Sequence, residues 1–83
     1  MMLHEIKKKQ WAKIIDIHLP PSEIQRLFSY GIYVGSYIQK CYVAPLGDPI
    51  AFYVNGAQLF LRKQDCEHIL VQFYQADESV HQW

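Results

Sequence analysis

Residues 51–61 read AFYVNGAQLFL, two runs of strand-forming side chains hinged on Asn55–Gly56. A two-residue link between antiparallel strands needs positive φ at both positions to match the right-handed twist of the pair. Asparagine followed by glycine meets that demand at the least steric cost. The segment therefore predicts a hairpin, 51–54 against 57–61, and commits the middle of an 83-residue chain to β structure.

Other breaks divide the remaining sequence into similarly short pieces. WAKIIDIHL, from Trp11 to Leu19, is rich in β-branched residues and reads as a strand. By simple alternation Trp11, Lys13, Ile15, Ile17 and Leu19 form its predominantly apolar face, with Ala12, Ile14, Asp16 and His18 on the other. Pro20 and Pro21 end the strand, because proline fixes φ and donates no ladder hydrogen bond. PSEIQRLFSYG then predicts a helix of about ten residues. Ser22 is placed to cap it, Gln25 to reach back in a capping box, and Gly31 to close its C-terminus. Ile24, Leu27 and Phe28 form the stripe that would pack on a sheet.

SYIQKCYV, Ser36 to Val43, is a further strand leading into APLGDPI, Ala44 to Ile50. In that corner Pro45 and Pro49 stiffen both shoulders, Gly47 permits the turn, and Asp48 can hydrogen-bond nearby amides. After the hairpin, RKQDCEHI predicts one helical turn and ILVQFYQ, 69–75, a last strand. Five short strands, one helix after the first and a helical turn before the last suit a mainly β, partly open barrel rather than a sandwich, which needs more strands. The chain reads as one domain, 1–83, with an ordered core over about 10–75. The residues before Trp11 are expected to be ragged, and the tail ADESVHQW to fray.

A chain of this length buries only about 60–65 % of its unfolded surface, so each apolar position matters. Its 51 % hydrophobic content suffices for a core. Eight basic and eight acidic residues give no net charge, which removes the electrostatic footprint of a nucleic-acid binder. Cys41 and Cys66 are too few for a secreted disulfide scaffold and lack CxxC spacing, so free thiols in the cytoplasm are expected. No segment has the apolar length of an export signal or a membrane span.

Sites of chemistry are scarce. In DCEH, 65–68, only Asp65 and His68 have a spacing that could share a helical face, and two ligands seldom make a metal site. The cluster reads as a solvated turn with Cys66 packed inward as a small hydrophobe. His4, His18 and His81 are scattered. No base is placed to activate either thiol, and there is no phosphate-binding glycine loop, so neither an enzyme nor a nucleotide binder is expected. Lys7, Lys8 and Lys9 could favour an acidic membrane at about 1 kcal/mol per charge, although such runs more often serve solubility. Tyr30, Tyr33, Tyr37, Tyr42, Tyr53 and Tyr74 offer interface material, but each is read first as filling a small barrel.

LFSYGIYVGSYI (Leu27–Ile38), VAPLGDPI (Val43–Ile50) and LFLRKQD (Leu59–Asp65), in that order and at those separations, resemble the FeoA family. The match spans about Trp11 to Tyr74. It implies an SH3-like barrel, in agreement with the strand count. It also implies a non-catalytic role in bacterial ferrous iron uptake, in contact with the cytoplasmic G-protein region of the FeoB transporter, with no cofactor and at most a position at the inner face of the membrane. Lys40 departs from the family's pattern, which favours an aliphatic residue there, and a bulge would accommodate it.

If a partner surface exists, Leu46, Asp48, Arg62 and Lys63 are its candidates, presented by the corner and by the LRK segment. The competing account has Arg62 or Lys63 pairing with Asp48 merely to close the barrel. The alternative function is a stand-alone SH3-like peptide-binding module, or the related barrel of iron-dependent repressors. The starting methionine, with no DNA-binding helix pair ahead of the barrel, weighs against the repressor.

Overall fold

The structure, a computed structural model, describes residues 1–74. The polar tail, Gln75 at the end of the expected last strand and His81 lie outside the described residues. A 3-10 turn, Leu3–Glu5, precedes β1 (Trp11–Ile17), α1 (Pro21–Ser29), β2 (Tyr37–Val43), β3 (Ile50–Val54), β4 (Ala57–Leu61), α2 (Lys63–Cys66) and β5 (Ile69–Tyr74). The five strands form one antiparallel sheet in the order β4-β3-β2-β1-β5, which curls around a core of Ile14, Ile38, Phe52, Ile69 and their neighbours. No helix among the described residues is long and apolar enough to cross a membrane.

The hairpin forms as its turn demands. Asn55 and Gly56 have φ of 56° and 83°, and β3 pairs with β4 from Val54↔Ala57 to Ile50↔Leu61 without interruption. Two bulges reset the period of the other strands. In β1 the partners change from Ile14↔Val71 to Asp16↔Leu70, which leaves Ile15 as the extra residue. Ala12 and Ile14 therefore face inward, and Ile17 does so beyond the bulge, whereas Trp11, Lys13 and Ile15 are exposed. The alternation expected for this strand was wrong for its first half because one inserted residue exchanges the faces.

The second bulge leaves Cys41 unpaired between Lys40↔Phe52 and Tyr42↔Ala51, and Lys40 points inward with 8 % of its surface exposed. Its amine donates to the carbonyls of His4 (2.9 Å) and Ile6 (2.8 Å). Burial lowers the Lys40 pKa, the cost of holding a cation away from water.

Those carbonyls belong to the segment expected to be ragged. Instead Leu3 and Ile6 are buried in the core, and Met1 exchanges main-chain hydrogen bonds with Val71. Two apolar side chains spaced three apart around a 3-10 turn plug the barrel, a pattern too short to read in a lysine-rich context.

In α1, Pro20 occupies the N-cap position and Pro21 the first helical position, which its fixed φ suits. The Ser22 side chain does not cap the helix. Only Leu27 of the expected stripe is fully buried; Phe28 is 64 % exposed and packs on Tyr33, with ring centroids 5.4 Å apart. The C-terminus closes as expected on Gly31 (φ 90°). The Gly31 amide donates to Phe28 and the Ile32 amide to Leu27, the paired bonds of a Schellman cap.

Candidate partner-binding surface

The corner before β3 is a turn in which the Gly47 amide donates to the Ala44 carbonyl (2.8 Å) and the Ala44 amide to the Pro49 carbonyl (3.0 Å). Gly47 has φ of 91°, a left-handed conformation open to glycine at little cost. The turn holds Leu46 at its tip with 96 % of its surface exposed. No other large hydrophobic side chain among the described residues is as exposed.

Asp48 turns back toward the barrel, where its carboxylate accepts a 2.9 Å hydrogen bond from the backbone amide of Lys63. That amide is the first of α2, and like other first-turn amides it has no partner within its own helix. Asp48 thus joins the corner to α2, as the closing account expected, but through the main chain; no side-chain ion pair links it to Arg62 or Lys63 among the described residues.

Of the four predicted residues, Asp48 and Arg62 share a cleft and Asp48 is bonded to Lys63, while Leu46 stands at the tip of the corner. Asp48, Pro49, Arg62 and Gln64 line an open cleft of about 470 Å³. Arg62 also borders a second cleft, of about 350 Å³, with Glu23, Arg26, Phe60, Leu61 and Asp65. There Arg26 bonds Glu23 at 2.8 Å and lies 3.8 Å from Asp65, which ties α1 to α2. That hydrogen bond lowers the Glu23 pKa and raises that of Arg26.

Beside this surface sequence reasoning missed Phe60 and read Tyr42 first as filling the barrel. Tyr42 and Phe60 flank Ala51 in register on the outer face, and their rings meet edge to face at 6.2 Å, leaving Ala51 fully buried beneath them. The hairpin register gives the side of Phe60; the side of Tyr42 depends on the bulge at Cys41. The tyrosines were misread more broadly, because all six are exposed. Ile, Leu and Val together with Phe52 fill so small a barrel, and a phenol gains more by keeping its hydroxyl in water.

Cys66 packs inward as expected, and burial, aided by the Asp65 charge, pushes its thiol up to about 12. Among the described residues no three His, Cys, Asp or Glu side chains come together as metal ligands.

The FeoA domain profile matches residues 1–73. The chain belongs to the FeoA family. Among solved structures this FeoA-family chain resembles the FeoA protein of Chlorobium tepidum at 32 % identity, covering 93 % of this chain and 73 % of that one with a TM-score of 0.86. An FeoA-like protein of Clostridium acetobutylicum is similar at 35 % identity, over 93 % of this chain and 90 % of that one, with a TM-score of 0.78. The zinc-complexed FeoA of Stenotrophomonas maltophilia, described as a prokaryotic SH3 domain protein, shares the fold at 22 % identity and a TM-score of 0.68, covering 87 % and 89 % of the two chains. A search of curated proteins found no match. The fold is thus SH3-like and the family is one associated with ferrous iron transport.

Proposed function

We propose that this FeoA-family protein is a non-catalytic accessory factor of bacterial ferrous iron uptake that acts in the cytoplasm by docking on the G-protein region of the FeoB transporter. The match of the FeoA profile to residues 1–73 carries this reading.

The docking surface is the corner and the α2 start, with Leu46 as apolar anchor and Asp48, Arg62 and Lys63 as its polar surround. An apolar side chain 96 % exposed on a pinned turn contributes almost nothing to folding, and its ordering cost on binding is already largely met. Arg62, between two clefts, supplies a planar donor group for a partner carboxylate.

A pull-down with the isolated cytoplasmic domain of the transporter, with and without guanine nucleotide, tests the partner. Capture of the wild-type protein and its loss on Leu46→Ala are expected. Normal ferrous iron uptake in a deletion strain under iron limitation would overturn the reading.

A further inference from the structure

The opposite end of the sheet carries a second surface that the docking reading leaves unused. Lys7 to Gln10 form a tight turn: the Gln10 amide donates to the Lys7 carbonyl (2.9 Å) and the Gln10 side-chain oxygen accepts from the Lys7 amide (2.9 Å). Lys9, with φ of 68°, is clamped to β2, its amide donating to the Lys40 carbonyl (2.6 Å) and its carbonyl accepting from the Gln39 side chain (3.0 Å). Three consecutive amines are therefore presented from ordered backbone, all exposed and without an ion pair among the described residues.

With Gln10 they border a shallow depression of about 340 Å³ whose other walls are Trp11, Phe73 and Tyr74. From Trp11 and Tyr74 the aromatic character continues across the outer face of the sheet, whereas Phe73, in register with the buried Ala12, reaches the depression from the other side of β5. Trp11 is in register with Tyr74 on one side and Gln39 on the other, Tyr53 follows Gln39, and the Tyr37 and Tyr74 rings meet at 5.0 Å. Lys13, between Tyr37 and Gln72, adds a fourth amine. Half of the eight basic residues thus lie at this end, and none of them is arginine.

We infer that this face is a docking surface for an anionic lipid bilayer, with Trp11, Phe73 and Tyr74 at headgroup level and Lys7, Lys8 and Lys9 against acidic headgroups. Amphipathic rings and lysine amines are the pair of chemistries that a membrane interface favours. Lysine is a compact, strongly hydrated point charge suited to a diffuse charged surface, whereas bidentate recognition of nucleic-acid phosphates calls on arginine, and both arginines, Arg26 and Arg62, border the other clefts. With no net charge on the chain, attraction comes from this local cluster of lysines and the binding is reversible. The inference is independent of the transporter, since it needs only lipid and the two surfaces share no residue.

The test is co-sedimentation of the full chain with vesicles of phosphatidylcholine alone or mixed with phosphatidylglycerol. Partitioning to the mixed vesicles is expected to exceed that to the neutral ones and to weaken with salt. It should fall about fivefold for each lysine replaced, so about a hundredfold in the triple variant Lys7→Gln, Lys8→Gln, Lys9→Gln. In a Trp83→Phe background the remaining tryptophan, Trp11, should shift its emission to the blue on binding. Circular dichroism and melting of the triple variant should match wild type, because the three side chains are exposed. Equal partitioning to both vesicles, unaltered binding of the triple variant, or tighter binding to a single-stranded oligonucleotide or polyglutamate than to the mixed vesicles would each overturn the inference.

Discussion

The carboxylate of Asp48 and the backbone amide of Lys63, fifteen residues apart, are joined by a 2.9 Å hydrogen bond. Through it the corner that exposes Leu46 and the start of α2 become one unit, so Asp48 serves the fold whatever else it does. Asp48→Ala is expected to cost about 1 kcal/mol, a melting shift of about 4–8 °C in a domain of this size, while Asp48→Asn, which keeps an acceptor oxygen, costs less than half of that. Thermal denaturation of the two variants checks this. A melting drop at Asp48 therefore leaves an interface role open, and Leu46→Ala, with melting unchanged, is the cleaner probe of binding.

Lys40 holds the N-terminal turn by two hydrogen bonds from a buried amine. Lys40→Met retains most of the apolar stem but leaves the His4 and Ile6 carbonyls without that donor. A loss of about 1–3 kcal/mol is expected in urea denaturation, and Lys40→Ala should lose more because it also leaves a void.

Deleting Met1–Ile6 removes Leu3 and Ile6 from the core, each worth about 1.5–3 kcal/mol of burial. Set against a total of about 5–15 kcal/mol for a domain, the truncated chain should be largely unfolded near physiological temperature, as judged by loss of cooperative melting.

The Cys66 thiol is raised by burial from 9.0 to about 12, so the unfolded chain gives up its proton first as pH rises. The stability this group contributes is complete below about pH 9 and is lost progressively toward pH 12, about 2 kcal/mol by pH 10.5. Lys40 acts in the opposite sense: its pKa is lowered, so the penalty of its buried charge is relieved as pH rises toward the ordinary lysine value of 10.5. The Cys66 shift is the larger, and stability should fall between pH 9 and 11. Cys66→Ala should abolish the fall in equilibrium denaturation curves. At neutral pH a thiol reagent should label Cys41, which is partly exposed, and reach Cys66 only on unfolding.

Much of the architecture was legible because it is punctuated locally. Asn55–Gly56, the double proline, Gly31 and the APLGDPI corner each act through backbone preferences of one to four residues, and each turns the chain where those preferences require. Of the proposed surface, what the sequence order explains is the nearness of Asp48 to Arg62 and Lys63, because the corner and the end of β4 flank one hairpin. Phe28 escaped the expected stripe because an amphipathic spacing says which side chains share a face without saying how much of it the neighbouring sheet covers.

By itself the sequence determined the five strands, their turns and the helix that closes on Gly31, because dihedral preferences and hairpin chemistry need no distant partner. Only the tertiary structure decided which sides face the core, since the extra residues at Ile15 and Cys41 show themselves only against the partner strands. It also decided that Leu3 and Ile6 plug the barrel, that Lys40 turns inward to hold them, and that the tyrosines remain outside. Those outcomes depend on how much interior a small barrel has left to fill once Phe52 and the isoleucines are in place.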